Sequence, residues 1–133
     1  MLDPGTKAPT RAHETDAGLD IYSRDEMLVP ANAFAVFHTG VHIELPPNTV
    51  GFLKSKSGLN VLHDITSDGV IDQGYSGEIV VKLYNHGTHD YWVRKGEKIS
   101  QLVVLPVLYE PVEIVDTVSG GDRGTDGFGS TGK

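Results

Sequence analysis

Apolar residues recur at every second position in short runs along this chain, and helical spacing is hard to find over any long window. A period of two sets side chains alternately on the two faces of a strand, so a chain patterned this way buries itself as packed β-layers. Leu19 and Ile21 alternate with Asp20 and Tyr22, and Ile79, Val81 and Leu83 with Val80, Lys82 and Tyr84. Val41, Ile43 and Leu45 alternate with His42 and Glu44 until Pro46 and Pro47 stop the run. The stretch from Ile99 to Val107 is apolar enough to be buried on both faces. Only the segment opening at Ser55 to Ser57 and running toward Leu62 reads as a helical turn or two. Many short strands bounded by Gly, Pro, Asn and Asp predict an all-β sandwich, jelly roll or small barrel with at most one short helix.

At 133 residues the chain suits one domain with a single core. Its formal charge of −7, from 11 basic and 18 acidic residues, leaves no broad basic surface, so no nucleic-acid partner is expected. With no Cys, disulfides, thiolate nucleophiles and Cys-ligated zinc are excluded, which fits a reducing compartment. No run approaches ~18 apolar residues, and Met1 to Gly5 has neither a basic nor an apolar leader pattern. A soluble, cytoplasmic protein with no membrane partner is the expectation. Composition shifts near Val118, because six of the 16 Gly fall between Gly120 and Gly132. The expected division is a β-domain over 1–118 and a flexible Gly-rich arm over 119–133, which orders only where it docks.

Five local patterns carry chemistry, and each has a plainer alternative. In Ala17-Gly18-Leu19-Asp20-Ile21-Tyr22-Ser23, Asp20 lies opposite two core residues, where an exposed strand carboxylate is the default. In Lys54-Ser55-Lys56-Ser57-Gly58-Leu59, hydroxyls and ammonium groups precede a helix start that favours phosphate, although a Ser there is commonly only an N-cap. Gly69-Val70-Ile71-Asp72-Gln73-Gly74-Tyr75-Ser76-Gly77-Glu78 suggests a hairpin with a bulge or tight turn that presents backbone groups to a flat ligand edge, with Asp72 and Tyr75 projecting from it. The plainer reading is a hairpin carrying those two residues by chance. In Lys95-Gly96-Glu97-Lys98-Ile99-Ser100-Gln101-Leu102, Gln101 is a polar amide entering an apolar run, and a buried amide needs partners. Arg123-Gly124-Thr125-Asp126-Gly127-Phe128-Gly129-Ser130-Thr131-Gly132 can wrap phosphate oxygens and stack one aromatic on a base, against the alternative of a loose tail. The histidine pairs His38 and His42, or His86 and His89, lack a third ligand at zinc spacing.

In this order, the five patterns resemble the five signature motifs of the trimeric dUTP diphosphatases (dUTPases), and they cover the chain from about Ala17 to its end. The resemblance implies a distorted jelly roll, a β-clip-type barrel, assembled as a homotrimer with shared active sites that hydrolyses dUTP to dUMP and pyrophosphate, limiting uracil in DNA and supplying dUMP. It implies Mg²⁺ held by Asp20 through water, with Lys56, Ser57 and Gly58 on the phosphates. Asp72 would activate the attacking water and touch the sugar 3′-hydroxyl, and Tyr75 would pack on the deoxyribose. Backbone at Gly69, Val70 and Ile71 and from Tyr75 to Glu78 would read uracil, while Gln101 would bond phosphate or the water. Arg123, Ser130 and Thr131 would hold outer phosphates, with Phe128 stacked on the base and Gly129 also binding substrate.

Two positions depart from the family pattern. Lys56 stands where Arg is usual, which loses a bidentate fork, and Asp126 replaces a small residue and is expected to face solvent. The related dCTP deaminases are disfavoured because Lys82 stands where they need a Glu. A trimeric nucleotide-binding or regulatory protein of the same fold is the alternative from another class.

Overall fold

The computed structural model describes residues 1–122 and 124–127. Among them lie nine strands: β1 (Gly18–Tyr22), β2 (Met27–Val29), β3 (Ala33–His42), β4 (Thr49–Lys54), β5 (Ile65–Thr66), β6 (Asp68–Ile71), β7 (Glu78–Asn85), β8 (Tyr91–Val93) and β9 (Lys98–Pro106). One helix, α1 (Ser57–His63), follows β4. The strands form a four-stranded sheet in the order β1-β9-β4-β6, a three-stranded sheet β3-β7-β5 and the pair β2-β8. Every strand pair is antiparallel. This is the expected all-β jelly roll with a single short helix. No described helix is long and apolar enough to cross a membrane.

The core forms where the alternating residues of different sheets meet. On β7, Ile79, Val81 and Leu83 point inward with Asn85 while Val80 and Tyr84 point out, as the period of two requires. Phe37 on β3, Ile21 on β1, Leu53 on β4 and Leu102 on β9 complete the same cluster. Each such side chain contributes about 1.5–3 kcal/mol by leaving water. Asn85 is tolerated among them because its amide donates to the Val29 and His89 carbonyls, at 3.0 and 2.9 Å, while its oxygen accepts the Gly87 N–H.

Two strand expectations need correction. The run from Val41 to Leu45 leaves its strand at His42, and Leu45 enters the core from the following loop. On β9, Ile99, Ser100 and Leu102 are buried, but Val103 and Val104 are half-covered and Leu105 is 46% exposed. The cause is pairing: β1 flanks β9 only as far as Val103, and beyond it β4 is the sole neighbour. Past Pro106 the Val107 N–H on the Asn48 carbonyl, at 2.9 Å, ties the chain to the barrel. Residues 108–122 lie outside helix and strand and hold Val112 and Ile114 at 93% and 96% exposure.

Candidate active site

Asp20 is not the exposed strand carboxylate that its alternation with Leu19 and Ile21 suggests; it is 4% exposed. It sits opposite Gln101 in the β1–β9 ladder, and both of its oxygens are taken by ammonium groups. Lys56, at the entry to α1, bonds Oδ1, and Lys98, the first residue of β9, lies 2.7 Å from Oδ2. Burial alone would raise the Asp20 pKa, but the hydrogen bonds and charges of Lys56 and Lys98 outweigh it and hold the carboxyl below its usual value. The Asp20 charge in turn raises the Lys98 pKa. These residues line a cavity of about 280 Å³ together with Asp16, Gly18, Ser57 and Gln101.

The segment that delivers Lys56 is fixed by hydroxyls and an amide. Ser100 is fully buried on β9; its Oγ donates to the Lys54 carbonyl at 3.1 Å and exchanges a 2.9 Å hydrogen bond with Ser67 Oγ. Ser55 Oγ accepts the Ser67 N–H and donates to the Ser67 carbonyl, at 2.9 and 3.1 Å. Gln101 donates its amide to the Ser55 carbonyl at 2.9 Å, which supplies the partner a polar group in that run requires. Lys56 occupies the cap position of α1, and no side chain caps the helix. Ser57 is therefore not an N-cap, and it lines the cavity instead.

A second cavity, of about 260 Å³, opens between β6 and β7. The sequence suggests a paired hairpin here. Instead Gly69, Val70 and Ile71 pair with β4, while β7 pairs with β3, so the two arms belong to different sheets and splay apart. The splaying leaves β6 as the edge of its sheet, with a row of backbone donors and acceptors that no strand uses. Asp72 stands exposed on the turn, whose backbone is closed by the Tyr75 N–H on the Asp72 carbonyl at 3.1 Å. Tyr75 folds back across Gly77 and donates its hydroxyl to the Glu78 carbonyl at 2.9 Å. A β-carbon at Gly77 would stand 2.4 Å from that hydroxyl oxygen, so glycine is what lets the ring lie there. The Glu78 carboxylate turns away to His38 Nδ1 at 2.8 Å and the Gly40 N–H at 2.6 Å; these bonds, His38 first, hold its pKa down. Lys82 also lines this cavity, with its ammonium 3.8 Å from the Phe34 ring centre.

The two cavities stand at opposite edges of one sheet. Asp20 on β1 pairs with Gln101 on β9, Gln101 with Lys54 on β4, and Lys54 with Asp68 on β6, a single row across four strands. Three strand spacings separate the row's ends, roughly 14 Å. Asp20, Lys56, Ser57 and Gln101 are thus brought together, with Gly58 in the first turn of α1 beside them. Gly69, Val70, Ile71, Asp72, Tyr75 and Glu78 are gathered at the other cavity, and no residue lines both. Arg123, Phe128, Gly129, Ser130 and Thr131 lie outside the described residues, and Asp126 is exposed. Sequence reasoning missed Lys98 and the Ser55–Ser67–Ser100 network. The signal for Ser100 was present, since a hydroxyl inside an apolar strand has to find partners.

The fold and site together are those of a small jelly roll with an edge-strand cleft and a cation-lined cavity. The sequence matches the dUTPase family over residues 5–132, and the chain belongs to that family. It is 47% identical over 134 residues to a deoxyuridine 5′-triphosphate nucleotidohydrolase of Clostridium acetobutylicum, covering 98% of this chain and 92% of that one. The solved Staphylococcus bacteriophage 80alpha dUTPase with dUPNHPP superposes with a TM-score of 0.91 at 29% identity, over 100% of this chain and 96% of the other. A point mutant of the dUTPase from phage phi11 of S. aureus, described with a coordinated structural Mg(II) ion, gives a TM-score of 0.81 at 25% identity, over 90% and 95% of the two chains.

Proposed function

We propose that this chain performs the reaction of its family, dUTP and water giving dUMP and pyrophosphate, with the base and sugar at the β6–β7 cleft and the phosphates at the Asp20 cavity. The observation that carries the reading is the open edge of β6. The alternate N–H and C=O groups of residues 69–71 that β4 leaves unpaired, beside a cleft lined by Tyr75, suit the hydrogen-bonding edge of uracil. A donor placed for uracil O4 would oppose the amino group of cytosine, and a mismatch of that kind is worth as much as ~10⁴ in selectivity. Tyr75 would pack on the deoxyribose where a 2′-hydroxyl would clash.

Asp72, projecting from the turn, orients the water and takes its proton as the oxygen attacks the α-phosphorus. Carboxylates as a class are weak bases, so placement supplies much of the effect. Lys56 and Ser57, with Gly58, hold phosphate oxygens; Gln101, anchored to Ser55 by its amide nitrogen, offers its oxygen to the water or to a protonated neighbour. Arg123, Gly129, Ser130, Thr131 and Phe128 are assigned to the outer phosphates and the base, as parts of an arm that closes the site.

Among the described residues no three carboxylates or imidazoles converge to cage a bare ion. Asp20, beside a cavity with room for phosphate oxygens, fits hydrated Mg²⁺, which keeps its waters and takes its other ligands from phosphate. Bound there, the ion would neutralise charge on the leaving pyrophosphate. The separation of the two clefts supports a homotrimer in which one copy supplies the base-and-sugar half and another the phosphate half. The exposed Leu105, Val112 and Ile114 support burial against such a neighbour. The cysteine-free composition suits a reducing cytoplasm. Pyrophosphate release measured across the deoxynucleoside triphosphates, with and without Mg²⁺, tests the reading: dUTP alone should turn over rapidly, and equal rates with dCTP or dTTP would overturn it.

A further inference from the structure

Asp20 is neutralised once by Lys56 and then again by Lys98, and a single buried carboxylate needs only one counter-ion. The second ammonium is not there by regular strand geometry. Asp20 pairs with Gln101 and Ile21 with Ser100, but Tyr22 pairs with Lys98, a one-residue shift in the β1–β9 register. Without the shift, Lys98 would share a face with Ser100 and point away from Gln101 and Asp20. The irregularity turns it toward the face on which Asp20 and Gln101 line the cavity, which is what such shifts do near active sites. The Lys98 side chain is 44% exposed while that of Asp20 is 6% exposed, so the ammonium reaches from solvent to the buried acid across the cavity wall. Asp16, the other carboxylate lining that cavity, has its Oδ2 held by the His13 backbone N–H at 3.0 Å and ring at 3.3 Å. Among the described residues Asp20 is the only acid within ion-pair distance of Lys98.

We propose that Lys98 is a phosphate ligand: it pairs with Asp20 before substrate arrives and passes its ammonium to the triphosphate when substrate binds, leaving the carboxylate's outer lone pairs for the hydrated cation. This deepens, and rests on, the assignment of the phosphates to this cavity. Lys56 and Lys98 face Asp20 and Asp16 in the cavity lining, so the unliganded cavity is near neutral, and parting Lys98 from Asp20 presents an ammonium to a polyanion. Exchange of partners involves no bond-making beyond hydrogen bonds, and each ammonium keeps an anionic acceptor throughout.

The probe is inorganic pyrophosphate, titrated calorimetrically in chelator-containing buffer so that no cation contributes, with the full-length wild-type protein, Lys98→Gln and Lys98→Arg. Lys98→Gln is expected to weaken pyrophosphate binding about tenfold or more and to raise the KM for dUTP with it, while leaving deoxyuridine binding unchanged; Lys98→Arg restores most of the loss. If Lys98 only positions Asp20, Lys98→Gln will lower kcat and shift the Mg²⁺ dependence while cation-free pyrophosphate binding stays at the wild-type value, and that result overturns the proposal. Should Lys98→Gln fail to fold, acylation of lysines in the wild-type protein decides: saturating pyrophosphate should slow labelling at Lys98, and an unchanged rate there overturns it equally. Wild-type release of pyrophosphate from dUTP is scored first, so that loss of the parent reading is distinguished from loss of this one.

Discussion

Gly18 and Gln101 approach so closely across the β1–β9 seam that a β-carbon on Gly18 would stand 2.3 Å from Gln101 Oε1. The glycine is what allows the glutamine to lie flat over β1 and reach the Ser55 carbonyl. Gly18→Ala should therefore push the Gln101 amide out of the Asp20 cavity without opening the core. The expected cost is about 1–3 kcal/mol of stability from overpacking, with a proportionally larger fall in kcat. Thermal unfolding set beside dUTP turnover checks this; an alanine variant with wild-type kcat would show that the Gln101 position is unimportant.

Asp72 stands on an exposed turn, where a change of charge disturbs no packing. Asp72→Asn should preserve the fold and nucleotide binding while lowering kcat by roughly 10²–10⁴, the range for loss of a positioned base. Steady-state kinetics with a binding measurement on a non-hydrolysable dUTP analogue separates the two. A wild-type rate would remove Asp72 from the reaction.

Local pattern made the strands legible but not their partners. The alternation along β7 placed Ile79, Val81 and Leu83 in the core correctly, because a buried face imposes the period directly. The segment from Gly69 to Glu78 was legible as two arms and a turn, yet nothing local states that one arm pairs with β4 and the other with β3. Asp20 was misjudged as exposed for the same reason: its cover comes from Lys56 and Lys98, 36 and 78 positions away, and pairing at that range leaves no period in the sequence. Residue types at the site were readable from the motifs, whereas the row that carries Asp20, Gln101, Lys54 and Asp68 across one sheet follows from register alone.

Glu78 begins β7 at the floor of the cleft and ties it to β3 through His38 and the Gly40 N–H. Its pKa is held below the ordinary 4.5, so the native state binds its proton less readily than the unfolded chain. That contribution to stability is complete above 4.5 and is lost as the pH falls through the lowered native value. Wild-type protein should unfold at a higher temperature than Glu78→Gln near neutral pH, and the gap should shrink as the medium is acidified below 4.5. A gap that is constant with pH would mean that the carboxylate charge is not what holds β3 to β7.

Removing residues 119–133 should leave the barrel intact, because among the described residues every buried core side chain precedes residue 103 and Val107 ties its own segment to the barrel. Beyond Val118 the backbone bond from the Gly124 N–H to the Gly121 carbonyl, at 2.9 Å, is local. The truncated chain is therefore expected to keep the wild-type melting temperature. Turnover should fall by about 10²–10³ or more, since the arm is assigned phosphate donors and the exclusion of water. Full-length and truncated protein compared by calorimetry and pyrophosphate release test both halves of the expectation. Full activity after truncation would place the phosphate ligands wholly within residues 1–118, and a drop in melting temperature would make the arm part of the fold.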